Sequence, residues 1–157
     1  MIVSYTIFAS LESAKLSSKT IDEAFERFKN EYVQTEIDYK AYYQIGNSTF
    51  VPFEVGNYVS LVQFEKGIFG WKPTYYSHDE EDASYSSFVD GDILLHGVVP
   101  KDIVAETKTI KVNGIDADIV RLNDQTSVWI LMNNTPKNFS NINIDFLNID
   151  GHIISEI

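Results

Sequence analysis

The densest run of titratable groups in the chain is Ser77-His-Asp-Glu-Glu-Asp82, and Asp90 and Asp92 follow closely. Clustered carboxylates can bind calcium, which takes six to eight oxygen ligands. The spacing does not fit the EF-hand loop, and consecutive carboxylates on a loop otherwise serve as solvated charge. The candidate acidic-loop site is therefore Asp79, Glu80, Glu81, Asp82, Asp90 and Asp92. His78 beside Asp79 has the form of a base and its orienter, with Ser77, Ser84, Ser86 and Ser87 nearby. The Gly-x-Ser-x-Gly elbow is absent, and no catalytic residue is assigned. Paired carboxylates at ~5–10 Å could hydrolyse glycosides, but 23 Asp+Glu would supply such a pair in almost any fold.

Other chemistries are excluded by what the chain lacks. It has no Cys, which removes disulfides, thiolate catalysis and Cys-based zinc sites. His78, His96 and His152 show no zinc-binding spacing, and phosphate-cradling Gly-rich motifs are missing. No cofactor or metal is expected. His96 lies in an apolar strand and reads as a core or edge residue. Trp71 and Trp129 are the costliest side chains to leave in water. They are core anchors or, if exposed, candidate aromatic contacts for a protein or sugar. Asn47-Ser-Thr49 and Asn138-Phe-Ser140 fit the glycosylation sequon and are treated as incidental.

The formal charge is −11, from 12 Lys+Arg against 23 Asp+Glu. Nucleic acid requires clustered cations, and none is evident along the sequence. On net charge an anionic membrane surface would repel the chain. No run approaches the ~18 apolar residues of a membrane span. Ile2–Ala9 lacks a positive flank and alternates, so it reads as a strand rather than a signal peptide.

The elements that must position these residues are mostly strands. Asn113-Gly114 specifies a two-residue type I′ turn, since both central residues need positive φ. That turn sets Val112 opposite Ile115, Lys111 opposite Asp116, Ile110 opposite Ala117 and Thr109 opposite Asp118. One face is apolar and the other carries Lys–Asp pairs. One helix is expected at about residues 20–34. Thr20-Ile-Asp-Glu23 is a capping box; Ile21, Ala24, Phe25, Phe28 and Tyr32 form one apolar stripe; and Glu23–Arg27 sits at i, i+4 on the wet side.

Strands follow at Tyr39–Ile45, at Phe50–Val55 (an edge or bulged strand, because Pro52 donates no amide), and at Tyr58–Glu65 with Ile68–Tyr76. A two-residue loop at Lys66-Gly67 would pair Phe64 with Phe69 and Val62 with Trp71. Residues 77–90 read as a long loop that could divide two sheet halves. Further strands are expected at Asp92–Val99, about 103–122, Ser127–Met132, Asn143–Ile149 and His152–Glu156. The last hairpin sets Asp145 against Glu156, so it should fray or shift there. Together these elements give an α+β fold in one domain, 1–157. One N-terminal helix packs on a strongly twisted, mainly antiparallel sheet or partly open barrel of about eight or nine strands.

Three segments carry a resemblance: Thr20-Ile-Asp-Glu-Ala-Phe25; Phe64-Glu-Lys-Gly-Ile-Phe-Gly-Trp-Lys72; and the run from His96-Gly-Val-Val99 through Val112–Val120 and Val128-Trp-Ile130 to Ile149-Asp-Gly-His-Ile153. This layout resembles small uncharacterised exported or membrane-anchored proteins of Bacillus-like bacteria. The resemblance implies bacterial origin and an extracytoplasmic or cell-surface location, and carries over no site residues. The export signal or lipidation Cys of that pattern is not matched at the start of this chain. Composition by itself leaves a cytoplasmic location open. The functional expectation is a non-enzymatic binding or interaction module for an unknown protein or small ligand. The alternatives are a carboxylate-dependent hydrolase acting in a sheet cleft and a calcium-stabilised structural domain.

Overall fold

The computed structural model describes residues 15–78, 84–87, 93–133 and 141–157. The strand expected at Ile2–Ala9 lies outside them. The chain divides into two compact units, Met1–His78 and Asp79–Ile157. Each has an open antiparallel sheet, five-stranded in the first and seven-stranded in the second. The mainly antiparallel α+β character of the described residues thus matches the sequence reading. The single sheet of eight or nine strands does not: twelve strands are described, in two sheets, and neither closes into a barrel among the described residues.

In the first unit the helix α1 spans Ile21–Phe28 and continues as a π-helical turn over Lys29–Val33. Gln34, at φ 57°, ends it in the left-handed region. Thr20 caps the start, its Oγ1 accepting from the Glu23 N–H at 3.2 Å. The reciprocal bond of the box is displaced by one residue: the Glu23 carboxylate accepts from the Lys19 N–H at 3.1 Å. Arg27 donates to the Lys15 carbonyl at 2.7 Å rather than pairing with Glu23. The apolar stripe buries Ala24, Phe25 and Phe28 against Val51, Phe53, Val62, Phe64 and Trp71. Tyr32 departs from the stripe and is exposed.

The sheet beneath the helix contains β1 (Tyr39–Lys40), β2 (Tyr43–Ile45), β3 (Ser48–Val55), β4 (Tyr58–Gly67) and β5 (Gly70–Ser77). Strand β3 is central, not an edge. β4 covers one side, and β1 and β2 share the other. The gap between β1 and β2 explains how Pro52 is tolerated there. The Pro52 carbonyl accepts from Ala41 N–H at 3.1 Å, and N and O of one residue point to the same side of an antiparallel strand. The missing amide therefore faces the place where the neighbouring strand is interrupted.

The β4–β5 hairpin has a different register from the one expected at Lys66-Gly67. Gly67 pairs with Gly70, Lys66 with Trp71 and Phe64 with Pro73, and the register slips between Gln63 and Phe64. The turn residues are Ile68 and Phe69. Two glycines flank them, and Gly70 adopts φ 118°. This register brings Trp71 against the strand-like segment before the helix. Ser18 and Trp71 exchange both backbone bonds, each at 2.8 Å.

The second unit contains β6 (Ser84–Ser87), β7 (Ile93–Val98), β8 (Thr109–Val112), β9 (Ile115–Arg121), β10 (Ser127–Asn133), β11 (Ile144–Leu147) and β12 (Ile153–Glu156). Strand β6 falls where a long loop was expected, and it pairs with β7. The spatial order β12-β11-β8-β9-β10-β7-β6 is not a run of consecutive hairpins. β10 reaches back to β7 and β11 reaches back to β8. The Asn-Gly hairpin forms in the expected register for its first three pairs, with positive φ at Asn113 and Gly114. Ile110 and Val112 are buried with Trp129, Ile144 and Phe146. Asn113 also clamps the neighbouring connection: its Oδ1 accepts from Asn143 N–H at 2.8 Å and its own N–H donates to the Asn143 carbonyl at 2.8 Å.

On the opposite face Lys111 donates to Asp116 at 2.6 Å and also lies across from Asp145. Asn143 Nδ2 donates to Asp145 at 2.8 Å. These partners explain why Asp145 pairs with Glu156 without fraying; the bulge falls instead between Phe146 and Leu147.

A methyl group on Gly70 would run into the Ser18 carbonyl, and φ 118° is strained for any L side chain. Gly70→Ala is expected to destabilise the first unit by about 3 kcal/mol. Urea unfolding followed by Trp71 fluorescence checks this; an unchanged midpoint would contradict the bridge. The same substitution at Gly46, where a Cβ meets nothing within 4 Å, should cost only the turn penalty of about 1 kcal/mol.

Candidate functional site

Of the residues singled out in the sequence, Asp79, Glu80, Glu81, Asp82, Asp90 and Asp92 lie outside the described residues. Trp129 is fully buried and Trp71 is 9% exposed, each inside an apolar core. Core anchoring accounts for both, and neither presents a ring for a partner. His96 is buried on β7, and His152 sits in an exposed turn where its N–H donates to Asn148 Oδ1 at 2.9 Å. Among the described residues, no Asp or Glu is buried and no group of three His, Cys, Asp or Glu could hold a metal ion.

One chemistry-bearing cluster went unseen in the sequence. On β4 and at the end of β5, His78 Nδ1 lies 3.3 Å from Ser60 Oγ and 3.1 Å from the Tyr76 hydroxyl. The signal for it was the hairpin register. With the turn at Ile68-Phe69 and the slip at Gln63/Phe64, Leu61 faces Ser77, which brings Ser60 level with His78. Nδ1 can hydrogen-bond one of the two hydroxyls, with donor and acceptor set by the ring tautomer. The arrangement does not form an acyl-transfer site. Ser60 is 3% exposed, within the sheet between Val59 and Leu61, so a substrate carbonyl has no approach to its Oγ. The cluster instead ties the end of β5 to β4.

Among the concave features of the described residues, one mainly apolar cleft of about 160 Å³ lies between α1 and β5. The helix supplies Ala24, Phe28 and Tyr32; β5 supplies Pro73; and Leu16 closes one side. Arg27, Glu31 and Lys72 form its charged rim. The floor is rigid because Phe28 packs edge-on against Phe53, Phe64 and Tyr76. The Tyr32 ring lies over Phe28 at 5.2 Å between centroids. The adjacent Glu31 charge, and a hydrogen bond to it, raise the Tyr32 hydroxyl above its usual range. The phenol proton is thus directed to the Glu31 carboxylate at the mouth of the cleft.

A second aromatic group stands on the other flank of the helix. Lys40 Nζ lies 4.7 Å from the Phe25 ring centroid and 5.6 Å from that of Tyr42, and it pairs with Glu26 at 3.7 Å. Burial, then a hydrogen bond to Asp22 and the charges of Asp22 and Glu26, push the Tyr42 hydroxyl well above its ordinary value. A group whose pKa is raised on folding contributes stability that is complete below its unfolded pKa and is lost as pH rises. The stability of the first unit should therefore fall as pH climbs past ~10, the unfolded tyrosine value. In Tyr42→Phe that part of the decline should be absent. Denaturant midpoints from pH 8 upward, compared between the two proteins, test it; parallel curves would refute the assignment.

Comparison of the chain with protein-family models, with curated protein sequences and with solved structures returns no match.

Proposed function

We propose that this chain is a non-enzymatic binding module and that the cleft between α1 and β5 is its recognition site. The observation that carries the reading is the combination of a small, rigid apolar floor with a charged rim. A cavity of roughly 150 Å³ lined by apolar side chains accepts a benzene-sized group, whereas drug-sized ligands need several hundred Å³. The cleft therefore suits one aromatic or branched side chain projecting from a protein or peptide. Arg27 and Lys72 would receive carboxylates flanking that side chain. The resemblance seen in the sequence adds a bacterial cell-surface or exported setting to this reading.

The test uses N-acetyl-phenylalanine amide and N-acetyl-lysine amide as probes in an NMR titration of the whole chain. The aromatic probe should shift amide signals of Leu16, Ala24, Tyr32 and Lys72, saturably. Leu16→Ala, which enlarges and opens the cleft, should weaken that binding several-fold without unfolding the chain. No saturable shift with the aromatic probe, or equal shifts with both probes, would defeat the proposal.

A further inference from the structure

We propose a second contact site in the first unit, the tip of the β4–β5 hairpin, which docks onto an anionic lipid surface. The argument begins with turn chemistry. Two-residue turns favour Gly, Asn, Asp, Pro and Ser, because these residues adopt the required dihedrals or bond to their own backbone. Three other two-residue hairpin turns among the described residues follow the rule with Gly46-Asn47, Gly56-Asn57 and Asn113-Gly114. The β4–β5 turn places Ile68 and Phe69 at the tip instead. Ile68 is 98% exposed and Phe69 48%. The sequence therefore holds one large apolar group in water and a second half out of it, at a position where turn chemistry calls for neither. Local departures from the rules of a fold are where functional demands are expected.

Charge surrounds the tip in a way that the net value of −11 conceals. Residues Met1–His78 carry seven Lys+Arg against nine Asp+Glu, and Asp79–Ile157 carry five against fourteen. The excess of acid thus belongs mainly to the second unit. Within the first, Lys66 and Lys72 flank the tip on β4 and β5, and the Ser18–Trp71 bridge brings Lys19 beside Gly70. Lys66 Nζ lies 5.9 Å from the Trp71 ring centroid. No ion pair among the described residues engages Lys19, Lys66 or Lys72. The nearest acid along the hairpin is Glu65, opposite Lys72.

Two apolar side chains alone would give marginal, reversible membrane affinity, and stable anchoring takes a second signal such as a basic patch. Here both signals stand at one hairpin tip, with Lys66 and Lys72 on the hairpin and Lys19 on the segment bridged to it. Ile68 and Phe69 would enter the acyl–headgroup boundary, and the three lysines would meet phosphate and carboxylate headgroups. Each such lysine strengthens binding by about five-fold near an anionic surface.

The test is cosedimentation of the full chain with vesicles of phosphatidylcholine, with and without phosphatidylserine. Binding should appear only with phosphatidylserine and weaken as salt is raised. Ile68→Ser with Phe69→Ser should abolish it. Both side chains are solvent-exposed, so the fold should persist, as far-UV circular dichroism would verify. Lys19→Gln with Lys66→Gln should reduce binding about twenty-five-fold while leaving the apolar tip and the cleft rim intact. Wild-type protein that stays in the supernatant with both vesicle types would overturn the proposal and leave the tip to a protein contact. Binding that survives the tip substitutions would overturn it as well. Neither result bears on the cleft, whose probes report on Leu16, Ala24, Tyr32 and Lys72.

Discussion

The backbone bridge between Ser18 and Trp71 is the constraint on which the first unit depends. It is a single pair of hydrogen bonds, and their net worth is modest, about 1 kcal/mol each. Its importance is geometric. It holds the segment before α1 against β5, so that the helix starts at a fixed point above the sheet. Thr20 then caps the helix, and Ala24, Phe25 and Phe28 reach the aromatic floor made by Phe53, Phe64 and Tyr76. The same bridge carries Leu16 to the mouth of the cleft and Lys19 to the hairpin tip. Gly70 makes it possible, because no side chain can stand between its Cα and the Ser18 carbonyl.

The second unit solves a different problem. Its strands do not pair in simple succession, so something other than short turns must set their order. Asn113 does part of this, joining the β8–β9 turn to Asn143 just before β11. Buried Trp129 does another part by filling the core that β7, β8, β10 and β11 share. Lys111 lies between Asp116 and Asp145 and offsets the repulsion that would otherwise act across β11 and β12.

Elements governed by local chemistry were legible in the sequence. The Thr20 cap, the first part of the apolar stripe of α1 and the first three pairs of the Asn113-Gly114 hairpin each follow from residues within a few positions of one another, and these formed as read. Features set by tertiary contact were not. The β4–β5 turn was misplaced because Lys66-Gly67 looks like a better turn than Ile68-Phe69, and only the bridge to Ser18 explains why Gly70 takes the strained conformation. From that shift, together with the slip at Gln63/Phe64, followed the missed Ser60–His78–Tyr76 cluster. Pro52 suggested an edge strand, since a break in the neighbouring strand leaves no mark in the sequence of β3 itself. The cleft was equally invisible: Leu16, Tyr32 and Pro73 come from three separate elements, and Tyr32 looked like one more core residue of the helical stripe.

Amide hydrogen exchange at Ser18 and Trp71 addresses the central claim most directly. Both N–H groups donate in the bridge, although Ser18 precedes the helix and stands outside every continuous strand. If the bridge organises the unit, Ser18 should exchange as slowly as the buried strand amides of Val62 and Phe64, reporting opening only when the unit unfolds. Exchange of Ser18 at the rate of a frayed terminus, with β4 still protected, would contradict the account.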